Sequence, residues 1–133
     1  MARPGAIEPR IRAVVAASTF SDLRTIATER AFNFPAWSLA PAFARAERDG
    51  QFVVDDVSPL GAAAAITVPV LLIHGAEDRN TTPAHSERVL RALAGRKQMI
   101  TVPHAGHNDV FRREVWTEIE HWIDTTARTN VVR

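Results

Sequence analysis

Two short loops concentrate the groups of this chain that could move a proton. The first, "HGAED", His74 to Asp78, ends an apolar run and delivers two carboxylates, Glu77 and Asp78. The second, "HAGHND", His104 to Asp109, ends another apolar run and carries two imidazoles, His104 and His107. A carboxylate bonded to one ring nitrogen of a histidine fixes its tautomer and stabilises the imidazolium, so the other nitrogen can act as a base. That chemistry needs both loops at the same end of neighbouring strands. Gly106 would let the backbone turn tightly just before His107.

The elements that could hold the loops in place follow from local pattern. "VPVLLIHG" reads as a buried strand over Val70 to His74, with Pro69 at its start, where a missing donor is tolerated. "KQMITV" is another strand, ending at Pro103, and the β-branched run Ile11 to Ala17 is a third. Between them lie helical patterns. Leu23, Ile26, Ala27 and Ala31 have helical spacing, with Ser21 as cap. "FPAWSLAPAFARAERDG" reads as two helical pieces, with Pro41 breaking or kinking the helix and Gly50 near its stop, and "QFVV" extended after it. Ser58 and Pro59 open a short helix, and Pro83 opens one that runs to Gly95. Phe111, Val115, Trp116, Ile119, Trp122 and Ile123 share one face of a last helix, with Asn108 and Asp109 as its caps and both tryptophans in the core.

Strand, helices, strand, helix, strand, helix implies an α/β fold of about three parallel strands with right-handed crossovers. In such sheets chemistry gathers at the carboxyl ends of the strands, where both loops sit.

Composition narrows the function classes. The chain has 133 residues, enough for a single domain, with 46% apolar and 23% charged residues. Sixteen Lys and Arg stand against 15 acids, a net charge of +1, which predicts neither nucleic-acid nor membrane affinity. The absence of cysteine excludes disulfides, thiolate metal sites and cysteine nucleophiles. No run of about 18 apolar residues could span a bilayer, and "MARPGAIEPR" has no apolar signal core, so a cytoplasmic location is the default expectation.

"VPVLLIHGAEDRNTTP" followed after a helix by "VPHAGHND" resembles the C-terminal part of the α/β-hydrolase family, in its serine-hydrolase branch of esterases, lipases and serine aminopeptidase-like members. The resemblance implies a triad acid at Asp78, in the "HGxxD" pattern, and a triad base at His107, in the "AGH" pattern. It implies that "IRAVVAASTFSDL" corresponds to the sixth strand of that fold and "MARPG" to the end of the helix after the nucleophile. It also implies a nucleophile on a G-x-S-x-G turn. None of Ser18, Ser21, Ser38, Ser58 and Ser86 has the flanking glycines, and by the family's chain order the nucleophile would lie upstream of Met1. Residues 1–133 then form one partial hydrolase-like domain, inactive in isolation, and residues 33–57 stand where family members place a cap. Phe34, Trp37 and Phe43 would line the substrate pocket.

The remaining polar residues have simpler roles. Glu77 is expected in solvent, His74 bonded to backbone, His104 structural or exposed, and His85 and His121 facing solvent from helices. A metal shared by His104, His107 and Asp109, or by His74, Asp78 and His85, lacks the i, i+4 histidine pair on a helix that would support it. No cofactor is implied. An uncharged apolar strand over Ile11–Ala17 without its partner is a pairing hazard, which points to a homodimer through that edge, to marginal stability or to a truncated product of a longer gene. The expected function is hydrolysis of a small ester or peptide-like substrate. The alternative is a catalytically inactive hydrolase-like domain that binds a ligand or partner.

Overall fold

The computed structural model describes Glu8 and residues 10–129. The "MARPG" segment therefore lies outside the described residues. In chain order the elements are β1 (Val14–Ala17), α1 (Leu23–Arg30), α2 (Ala36–Gly50), a 3-10 turn (Val54–Asp56), α3 (Pro59–Ala63), β2 (Val70–Gly75), α4 (Pro83–Ala92), β3 (Lys97–Val102) and α5 (Arg113–Thr129). The strands form one parallel sheet in the order β1-β2-β3. Val14 stands opposite Val70, and Val70 opposite Lys97.

Every residue of β2 is buried, because the strand is central and both of its faces are covered. Its alternation sorts the core into two layers. Leu71 and Ile73 meet Val115, Ile119 and Trp122 of α5. Val70 and Leu72 meet Ala63 of α3 and Val89 and Leu93 of the α4 segment. Each such aliphatic side chain contributes about 1.5–3 kcal/mol of burial. β1 is less protected. Ile11 and Val15 are 40% and 36% exposed, and β1 pairs on one side only among the described residues.

Several local readings are corrected. The α1 cap is Asp22, whose Oδ1 accepts from the Thr25 amide at 2.7 Å; the carboxylate takes the cap because it is the stronger acceptor, and Ser21 turns inward. α2 runs unbroken through Pro41. Proline removes only one helical donor, and the Trp37 carbonyl it would have served lies in the exposed first turn. α2 does extend to Gly50, but the left-handed cap residue is Gln51, at φ 52°. Gly50 is small for another reason: a Cβ there would meet the Phe52 ring at 2.7 Å. Val54 turns into a 3-10 helix rather than extending, and the Glu47 carboxylate accepts from its amide. α4 stops at Ala92, short of Gly95.

The stripe on α5 is wider than the sheet it covers. Val115, Ile119 and Trp122 are buried, whereas Trp116 and Ile123 stay about half exposed, as does Phe111, which lies before the helix rather than on its face as expected. Trp116 stacks on Phe111 with ring centroids 5.3 Å apart, so it is not part of the core.

Candidate active site

The tips of β2 and β3 are stitched together before any side chain acts. The Ala76 amide donates to the Val102 carbonyl at 2.9 Å, and the Glu77 amide to the Ala105 carbonyl at 2.9 Å. Gly75 makes this approach possible: a Cβ there would collide with the carbonyl oxygens of Ala105 and Gly106.

Across this seam, His107 Nδ1 donates to Asp78 Oδ2 at 2.7 Å. A carboxylate can only accept, so Nδ1 carries the proton and Nε2 of the neutral ring is bare. Among the described residues Nε2 has no hydrogen-bond partner, and the imidazole is 32% exposed. The other carboxylate oxygen, Oδ1, accepts from the amides of Asn80 at 2.8 Å and Thr81 at 2.9 Å. Burial opposes the charge on Asp78, but the Thr81 amide, the His107 ring and the Asn80 amide outweigh it and hold the carboxyl below its ordinary range.

His74, wholly buried, supports the acid from beneath. Its Nε2 lies 2.7 Å from the Thr81 carbonyl and 3.2 Å from Asp78 Oδ2. A carbonyl accepts only, so Nε2 is the protonated nitrogen and Nδ1 accepts from the Ser86 hydroxyl at 2.6 Å. The expected backbone bond is there, together with two side-chain contacts that strand pattern alone could not reveal.

The histidine loop has its own supports. Ser18, at the tip of β1 with φ 49°, donates its hydroxyl to the His107 carbonyl at 3.0 Å. Arg112 donates to the carbonyls of Pro103 at 3.0 Å and His104 at 2.6 Å. Asp109 Oδ1 accepts from the Gly106 amide at 2.5 Å, so Asp109 braces this loop instead of capping α5, which starts only at Arg113. The left-handed turn residue is His104, at φ 53°, not Gly106. His104 and Glu77 pair in solvent at 2.8 Å. His121 is exposed.

His85 overturns its expectation. It is fully buried, with Nδ1 2.8 Å from the Ser21 hydroxyl and Nε2 2.7 Å from Glu29 Oε2. The signal was present, since His85 shares helical spacing with Ser86, Val89 and Leu93, all buried. Among the described residues no group of three or more histidines and acids could hold a metal ion. None of their helices is long and apolar enough to cross a membrane.

The aromatic residues of the 33–57 segment are only partly together. Phe34 and Phe43 line an apolar groove of about 450 Å³ between α1 and α2, with Ala27, Ala31 and Leu39. Trp37 is 79% exposed and lies outside that lining. The Arg24 guanidinium sits 4.8 Å from the Phe43 ring centroid.

A parallel sheet with flanking helices, carrying a carboxylate and an imidazole on adjacent strand tips, defines part of an α/β-hydrolase fold of the serine-hydrolase class. The chain belongs to the prolyl oligopeptidase family (peptidase family S9), whose sequence profile matches residues 8–129. No curated protein matches it in sequence. Its fold is similar to that of an acetyl xylan esterase from Paenibacillus sp. R4, with TM-score 0.66 and 15% identity over 89% of this chain and 39% of the esterase. It is also similar to the acylaminoacyl peptidase of Pyrococcus horikoshii, with TM-score 0.62 and 15% identity over 88% of this chain and 20% of the peptidase. A puromycin-hydrolyzing peptidase from Mycobacterium tuberculosis shares 28% identity at TM-score 0.52, over 74% of this chain and 15% of its own. The chain thus spans 39% or less of the length of these three structures.

Proposed function

We propose that this chain supplies the acid, Asp78, and the base, His107, of a serine-hydrolase triad that cleaves ester or amide bonds. The observation that carries the reading is the 2.7 Å bond from His107 Nδ1 to a carboxylate whose second oxygen is already held by two amides. In that arrangement Nε2 takes the proton of a serine hydroxyl as the serine attacks the carbonyl carbon. The resulting imidazolium, stabilised by Asp78, returns the proton to the leaving alcohol or amine. Water repeats the sequence on the acyl-enzyme. In this reading the serine and its oxyanion donors are not among these 133 residues, none of whose serines has the flanking glycines of a nucleophile turn. Ester substrates fit the acetyl xylan esterase likeness, and amide or peptide substrates fit the two peptidases.

Residues 33–57 act as a cap in this reading, with Phe34 and Phe43 receiving an apolar substrate group and Trp37 closing over it. The site needs no cofactor. The protein acts in the cytoplasm, without nucleic-acid or membrane partners, and the open edge at Ile11–Ala17 pairs with a second copy when its intramolecular partner is missing. The lack of a G-x-S-x-G turn favours one other reading, an inactive binding domain.

A fluorophosphonate probe separates the two readings. The full gene product is expected to label at a serine, with labelling lost in His107→Ala. The 133-residue chain alone is expected neither to label nor to turn over p-nitrophenyl esters. A full gene product that stays unlabelled under conditions that label a known serine hydrolase leaves the binding reading in place.

A further inference from the structure

Beside the acid loop lies a pocket that the triad does not use. It has a volume of about 520 Å³ and is lined by Glu29, Arg30 and Phe32 from the end of α1 and by Arg79, Asn80 and Thr82 from the β2–α4 loop. Arg79 follows Asp78 directly, and the Asn80 amide bonds the same carboxylate that holds His107, so the pocket begins one residue from the acid–base pair.

The charges in this pocket are unbalanced. Glu29 is already engaged, with Oε2 2.7 Å from His85 Nε2 and Oε1 3.8 Å from Arg88. Asp78 is engaged by His107 and two amides. Arg30 and Arg79 have no carboxylate partner among the described residues. Two arginines without a carboxylate partner therefore line one concavity together with Phe32, which is 82% exposed. Guanidinium forks match carboxylates in bidentate geometry, and an aromatic wall favours the alkyl stem that carries such a group. The two walls cannot drift apart freely, because buried His85 on α4 ties Glu29 and Ser21 to the helix that follows the acid loop.

We propose that this pocket is a subsite for a carboxylate carried by the substrate, held by Arg30 and Arg79 a short alkyl spacer away from the scissile ester or amide. The proposal rests on the hydrolase reading above and narrows its substrate class to acyl or peptidyl groups bearing a negative charge.

The test is a nitrogen-15 amide titration of this chain with monomethyl glutarate, an ester with one free carboxylate, against dimethyl glutarate, which has none. Monomethyl glutarate is expected to shift the Arg30, Arg79 and Asn80 amides saturably, and dimethyl glutarate to bind about tenfold more weakly or not at all. Arg79→Gln and Arg30→Gln are each expected to weaken binding about fivefold, whereas Arg79→Lys keeps part of it. Both arginines are exposed, so these variants keep the fold. Equal binding of the two esters, shifts confined to other residues, tighter binding of inorganic phosphate than of monomethyl glutarate, or unchanged binding in both glutamine variants would each overturn the subsite. Fluorophosphonate labelling does not depend on this pocket. A labelled gene product with no carboxylate preference sinks the subsite alone; an unlabelled one sinks the hydrolase reading while the titration still stands as a binding result.

Discussion

Two histidines in this molecule each bond a carboxylate at 2.7 Å, and they have opposite fates. His107 gives Nδ1 to Asp78 and leaves Nε2 bare at a surface that is 32% open. His85 gives Nε2 to Glu29 and accepts at Nδ1 from the Ser21 backbone amide at 3.1 Å, with no exposure at all. Taken alone, Ser21, His85 and Glu29 look like a triad, with a serine, an imidazole and an acid in bonding reach. However, the Ser21 hydroxyl donates to Asp22 at 2.9 Å and accepts from Arg88 at 3.2 Å, in a site where a substrate carbonyl cannot reach it. A histidine–carboxylate bond is therefore not a sign of catalysis by itself. The difference lies in whether one ring nitrogen is left with work to do.

The largest expected effect breaks the comparison on the side of the proposed acid–base pair. Asp78→Asn in the full gene product should lower kcat by about 10⁴, because an amide no longer enforces the Nδ1-protonated tautomer. The folded fraction should change little, and steady-state kinetics beside a thermal melt checks both. Next comes His85→Ala, expected to cost about 2–4 kcal/mol of stability in urea melts, since it opens a cavity and strands Glu29, Ser21 and Arg88 without their shared partner. Activity per folded molecule should stay within about threefold. An equal loss of activity in both variants would erase the distinction.

Acid titration sharpens it further. The Asp78 carboxyl lies below its ordinary pKa of 3.8 in the folded chain, and Asp22 does too, despite its burial, through the Thr25 and Ser21 bonds. Depressed carboxyls bind fewer protons folded than unfolded. Their stabilisation is complete above the ordinary value and is lost as pH falls through the folded value. Melts below pH 3.8 should therefore steepen in loss, and Asp78→Asn should flatten part of that slope. The smallest effect is Glu29→Gln, which keeps an acceptor for His85 Nε2–H and should cost no more than about 1 kcal/mol in the same melts.

Asp78 and His107, the proposed acid and base, stand out in the sequence because each is tied to the end of a strongly patterned strand, and the structure brings the two within 2.7 Å. Strand order then places them on one sheet end. What strand pattern does not encode is the third dimension of the loops. Ser18 meets His107 across 89 positions of sequence, and Arg112 clamps carbonyls eight and nine residues back. The two reversed orientations have separate causes. His85 reads as outward because it is polar, although its helical phase sets it with buried Val89 and Leu93; Trp116 reads as inward from its stripe, which is wider than the sheet that α5 covers. Pro41 reads as a break or kink on propensity alone; the helix continues because the one carbonyl that loses its partner lies in the exposed first turn.

The proposed acid–base partnership depends on the protonation pattern of one imidazole. A long-range nitrogen-15 spectrum of the histidine-labelled chain near neutral to mildly alkaline pH, about pH 8, reads it directly. The prediction is His107 with Nδ1 protonated and Nε2 bare, reverting to a tautomer mixture in Asp78→Asn. A His107 ring protonated at Nε2, or one indifferent to the loss of Asp78, would contradict the partnership from which the hydrolase mechanism follows.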